Sequence, residues 1–113
     1  MVIIEQNTGD VVVIVPQGRI DSNTAKEFEE VILAAITPQS PAMVVDCNQL
    51  DYVSSAGLRV LLMAAKRIKA AKGRLALCGL KPHVQEVFDV SGFSTIFAIQ
   101  AGRDAALATV RGA

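Results

Sequence analysis

The amino-acid sequence predicts an α/β domain, a mixed and mostly parallel sheet of about five strands with about four helices. Three observations carry this prediction. Runs rich in β-branched residues alternate with stretches whose apolar residues recur at helical spacing, the pattern of parallel strands joined by right-handed helical crossovers. The chain opens on two successive strand-like runs, which adds one antiparallel pair and makes the sheet mixed. Finally, 113 residues with 51% hydrophobic content suit one domain with its own core. A single domain over 1–113 is expected.

Each element has a local reason. Val2–Gln6 reads as a short strand and Asn7–Asp10 as a hairpin turn. Val11–Val15 is a continuous β-branched run, as in a strand covered on both faces. Pro16 then predicts a strand end or an edge. Thr24–Ile36 reads as a helix with Ala25, Phe28, Val31, Ile32, Ala35 and Ile36 on one face and Lys26, Glu27, Glu29 and Glu30 on the other. Thr24-Ala25-Lys26-Glu27 has capping-box form, with Ser22 and Asn23 as alternative caps. Thr37–Pro41 reads as a turn inside the domain, and Ala42–Cys47 as the third strand.

A second helix follows, with Leu58, Leu61, Leu62, Ala65 and Ile68 inward and Gly73 ending it. Arg74–Cys78 is the fourth strand. Pro82 suits the first turn of a third helix reaching about Val90. Ile96–Ile99 is a fifth, short strand and Asp104–Val110 a last short helix. Two loops leave strand ends and enter helices, Gly18–Asn23 and Asn48–Ser55. In open parallel sheets such loops gather at the carboxyl edge, so the two are expected to be neighbours.

Composition excludes several classes. Eleven basic and eleven acidic residues give no basic footprint, so direct nucleic-acid binding is not expected. Basic residues Lys66, Arg67, Lys69, Lys72 and Arg74 cluster near the end of the second helix, where cations suit the helix dipole. Cys47 and Cys78 sit in apolar surroundings and read as buried core thiols. With a single histidine, His83, they do not supply the roughly four ligands of a zinc site. No run approaches the ~20 apolar residues of a membrane span, and no secretory leader is visible, so a cytoplasmic protein is expected.

Enzyme signatures are missing too. Gly-x-Ser-x-Gly, the Walker loop and Gly-x-Gly-x-x-Gly do not occur. His83 follows Pro82 at a helix start, where an exposed or capping role is the expectation. Asp46 and Asp51 have no evident perturbing partner, and Asp51 reads as a loop residue. No metal, no cofactor and no catalytic residue is predicted.

The informative stretch is Asp51-Tyr52-Val53-Ser54-Ser55-Ala56-Gly57-Leu58-Arg59. Ser54 or Ser55 can cap the second helix, its oxygen accepting from a first-turn N–H. Gly57 is unexpected there, because glycine inside a helix costs about 1 kcal/mol relative to alanine. Close approach of another backbone or a partner would account for it. Arg59, Met63, Lys66, Arg67 and Ala70 form a stripe opposite the core face, a candidate contact surface on which Met63 would be the soft apolar element.

Three segments in order resemble the STAS family (sulfate transporter and anti-sigma factor antagonist domains), particularly its small free-standing anti-anti-sigma factors. They are Gly18–Ala25 (GRIDSNTA), Ser54–Leu62 (SSAGLRVLL) and Glu86–Ile99 (EVFDVSGFSTIFAI), and the resemblance spans nearly the whole chain. It implies that Ser55 is the serine phosphorylated by a partner kinase, with Ser54 as the alternative acceptor. Ser54 then stands where many members have Asp, and Ala56 where many have a second serine. Asp21 matches the acidic residue of the neighbouring loop.

The resemblance implies a protein that binds an anti-sigma factor with serine kinase activity through Asp21, Ser54, Ser55, Ala56 and Gly57, and the α2 stripe adds Arg59 and Met63 as candidate contacts. Phosphorylation would release it and a serine phosphatase would restore it. The alternative implied is a non-catalytic subunit of a lipid-transport or stress-sensing assembly. The sequence sets no oligomeric state.

Overall fold

A computed structural model describes residues 1–37 and 42–111. The expected turn at Thr37–Pro41 falls for the most part outside the described residues. In chain order the elements are β1 (Val2–Thr8), β2 (Val11–Ile20), α1 (Ala25–Ala35), β3 (Ala42–Asp46), β4 (Leu50–Val53), α2 (Ser55–Ala70), β5 (Arg74–Cys78), α3 (Pro82–Val90), a 3₁₀ turn (Phe93–Thr95), β6 (Ala98–Gln100) and α4 (Arg103–Val110). The sheet has six strands in the order β1-β2-β3-β5-β6, with β4 also on β2. Among the strands described, the β1–β2 hairpin is antiparallel and the other pairings are parallel.

The β-branched run in β2 has the expected cause. Val12 and Ile14 point into the core under α1, α2 and α3, while Val11, Val13 and Val15 point to the opposite face with Val44, Ala76 and Cys78. There α4 closes the second core through Ala106, Leu107 and Val110. A strand apolar on both sides has no alternation to show.

Pro16 does not end the strand. It lies inside β2, opposite Ile3 of β1. On its other side β2 changes partner, pairing β3 at Val11–Ile14 and β4 at Gly18–Ile20. Pro16 sits in the gap between those ladders, where its missing N–H breaks no ladder bond. The change of partner includes a register shift between Gly18 and Arg19, and Gly18 has φ +86°, a conformation glycine adopts without strain.

β4 is the element the sequence reading passed over, since Asn48–Ser55 reads as loop. Leu50 and Val53 are its buried residues and Asp51 and Tyr52 are exposed, a spacing that lacks the period of two. A tight turn precedes it, in which Leu50 N–H donates to the Cys47 carbonyl at 3.0 Å. The last strand is also shifted, to Ala98–Gln100, because the 3₁₀ turn occupies the residues before it. Phe97 holds that corner, meeting Phe88 edge-on at 6.0 Å between ring centroids and Phe93 at 6.1 Å.

The inward face of α2 is rotated relative to expectation. Val60 and Ala64 are buried beside Leu58, Leu61 and Ile68, while Leu62 and Ala65 are half-buried. The rotation follows from α1 packing alongside α2, which covers the Val60 side. Cys47 and Cys78 are both free and buried, in the two different cores. Burial raises both thiol pKa values, that of Cys78 to about 12, so both are inert core residues as expected.

Candidate functional site

The two strand-to-helix loops meet, because β4 lies directly on the second half of β2. Arg19 is paired with Tyr52 and Ile20 with Val53, and the Ser54 N–H donates to the Ile20 carbonyl at 2.8 Å. The entrance to α1 and the entrance to α2 therefore form one surface at the carboxyl edge of the sheet.

At the α1 entrance the capping box does not form. Thr24 occupies the cap position, yet its side chain makes no cap bond. Asp21 instead fixes the turn that leads into the helix: its Oδ1 accepts from the N–H groups of Asn23 at 2.9 Å and Thr24 at 3.2 Å. The Thr24 hydroxyl turns back, accepting from the Asp21 N–H at 2.9 Å and donating to the Arg19 carbonyl at 2.9 Å. Thr24 reached this bond because β2 runs on to Ile20, which brings the Arg19 carbonyl beside it. Asp21 is half-buried, and its Oδ2 lies 3.8 Å from Arg19 Nε.

At the α2 entrance the two serines divide. Ser54 is the cap, its Oγ accepting from the Gly57 N–H at 3.4 Å. Ser55 is the first helical residue and is exposed. No acidic residue occupies the first turn, so the positive end of the helix dipole is not offset by a side-chain charge there. Gly57 is buried. A Cβ on it would stand 2.7 Å from Ile20 Cγ2 and 2.7 Å from Val53 Cγ2. A close approach at Gly57 is thus made by side chains of the chain's own β2 and β4.

Beside Ser55 a groove of about 350 Å³ runs between α1 and α2. Ala56, Arg59 and Met63 line it from α2, facing Ser22, Lys26 and Glu29. Arg59 is exposed and Met63 half-buried. The stripe foreseen on α2 is thereby split: Arg59 and Met63 face the groove, whereas Lys66 belongs to a second groove near the other end of the helix.

Several charged groups at this edge carried no sequence signal. The Arg19 guanidinium sits 4.2 Å over the Tyr52 ring, a cation–π contact. Lys81 pairs with Asp51, and His83 Nε2 lies 2.6 Å from the Asp51 carbonyl oxygen. The hydrogen bond from Lys81 holds the Asp51 carboxyl below its usual range, with the Lys81 charge adding to it. These contacts fasten the start of α3 to β4. His83 is exposed, as expected. Among the described residues no cluster of histidine, cysteine or carboxylate groups could hold a metal, and no helix is long and apolar enough to cross a membrane.

The carboxyl edge of the sheet thus gathers two polar helix entrances beside a groove between α1 and α2. The chain belongs to the STAS domain family, whose model matches residues 2–106. It is 44% identical over 95 residues, 84% of this chain and 82% of the relative, to BtrV of Bordetella bronchiseptica, assigned as an anti-sigma factor antagonist. It is 27% identical over 97 residues to the anti-sigma-B factor antagonist of Listeria monocytogenes, covering 86% of this chain and 85% of that one. Among solved structures, the phosphorylated form of the Bacillus cell-fate determinant SpoIIAA shares the fold with a TM-score of 0.73 at 23% identity, over 97% of this chain and all of that one.

Proposed function

We propose that this protein is an anti-sigma factor antagonist switched by phosphorylation of Ser55. With a free hydroxyl at Ser55 it binds an anti-sigma factor that is also a serine kinase, through Asp21, Ser54, Ser55 and Gly57 at the two helix entrances and through the adjoining groove residues Ala56, Arg59 and Met63. Phosphorylation ends the binding, and a serine phosphatase restores it. The observation that carries this reading is the division of the serine pair. Ser54 is engaged in the helix cap, whereas Ser55 is exposed on the surface where the two loops meet. Its similarity to named anti-sigma factor antagonists supports the partner class.

The switch follows from charge. An acceptor serine needs exposure and placement, while the kinase supplies nucleotide, metal and the residue that orients the hydroxyl. A phosphate adds about −1.5 to −2 charges. Unpaired N–H groups and the dipole at the start of α2 accommodate that charge, so the fold persists. A partner surface seated on the same spot meets repulsion and a desolvated phosphate. A loss of about 3 kcal/mol in binding weakens a complex roughly a hundredfold.

The test is affinity capture from cells with tagged Ser55→Ala and Ser55→Asp variants. Ser55→Ala is expected to retain a kinase-type anti-sigma factor and Ser55→Asp to lose it. Equal capture by both would overturn the switch. Co-purification of both with a membrane transporter ATPase would assign the protein to a larger assembly instead.

A further inference from the structure

The far end of α2 carries a second groove, of about 540 Å³. Its size falls in the range of small-molecule sites, roughly 300–1,000 Å³. One wall is a single helical stripe, Leu62, Ala65, Lys66 and Lys69, at the i, i+3, i+4, i+7 spacing that places residues on one face. Along that stripe the character changes from apolar to cationic over about 10 Å. Leu75 of β5 and Ala98 of the edge strand β6 line the groove as well, and beside them stands Ile96, 53% exposed. Arg74, the first residue of β5, adds a third cation.

No acidic residue lines the groove. Among the described residues none of the three cations pairs with a carboxylate, and the Arg74 guanidinium makes one 3.5 Å bond, to the Thr109 carbonyl. Helix-dipole compensation accounts for lysines near the end of α2. It accounts neither for Arg74, which is on a strand, nor for the apolar wall left uncovered beside the charges.

We propose that this groove binds an anionic amphiphile, a free medium-chain carboxylate. Its alkyl tail lies along Leu62, Ala65 and Ile96, and its carboxylate lies between Lys69 and Arg74 where charge-assisted hydrogen bonds are available. The apolar end sets the tail and the unpaired cations set the sign of the head group. The site is distinct from the Ser55 surface, at the opposite end of the same helix.

The test is titration of the full chain with decanoate below its micellar range, followed by calorimetry and by amide NMR shifts. Saturable one-to-one binding is expected, with shifts at Leu62, Ala65 and Ile96. Decanol, which has the tail without the charge, and the Lys69→Glu/Arg74→Glu variant are each expected to bind at least about tenfold more weakly. Ile96→Glu is expected to abolish binding. All three positions are exposed, so the variants keep the fold, which their NMR spectra report. Absence of saturable decanoate binding overturns the proposal. Acetate binding as tightly would leave only a patch of cations, and decanol binding as tightly would leave only an apolar slot, and either overturns it. Saturation of the same shifts by an acidic amphipathic peptide but not by decanoate would assign the groove to a protein partner, and that too overturns it.

Discussion

The entrances to α1 and α2 lie side by side and are built on the same plan, yet they use their polar residues differently. At the first, Asp21 and Thr24 are consumed by the backbone: one carboxylate oxygen serves two N–H groups and the threonine hydroxyl bridges Arg19 and Asp21. At the second, one serine performs the cap and its neighbour is left over, exposed at the helix start. A helix entrance needs one good cap. A second hydroxyl that the fold does not use is available for chemistry, and this is the physical reason to separate Ser55 from Ser54.

The comparison can be broken at four positions. Gly57 joins the two entrances, so Gly57→Ala should have the largest effect: the new Cβ meets Ile20 and Val53 at 2.7 Å and neither side chain can leave the core. Overpacking of this kind costs about 1–3 kcal/mol, to be read as a fall in the urea midpoint. A neutral result would mean that β2 and β4 yield easily there. Asp21→Ala removes the side-chain acceptor of two backbone N–H groups at once and should cost about 1–2 kcal/mol by the same measurement. Ser54→Ala should cost about 0.5–1 kcal/mol, the lower part of the capping range, because its bond is long. Ser55→Ala should stay within about 0.5 kcal/mol of the parent, as exposed substitutions do. Were Ser55→Ala the more damaging of the serine pair, the assignment of cap and spare would be reversed.

Much of this architecture was legible in the sequence because helices announce themselves through spacing. Phe28 and Ile32, or Leu58 and Leu61, fall on one face whatever the tertiary context. β4 was not legible, since Leu50 and Val53 are buried three apart and the exposed Asp51 and Tyr52 look like loop. The extension of β2 through Gln17, Gly18 and Arg19 was hidden for a related reason: a proline followed by polar residues and glycine resembles a strand end until β4 is known to lie beside it. Missing β4 also hid the Arg19–Tyr52 contact and the bonds from Lys81 and His83 to Asp51, which are tertiary. At the α2 entrance the sequence placed the two serines correctly but left their roles interchangeable, because either oxygen can cap. Only the backbone path, fixed by the Ser54 N–H on Ile20, distinguishes them.

The most direct test of the account is site-resolved mass spectrometry of the protein isolated from its own cells, with and without phosphatase treatment. The account predicts a removable phosphate on Ser55 and none on Ser54. Phosphate on Ser54, or none on either serine under every growth condition tried, would contradict it.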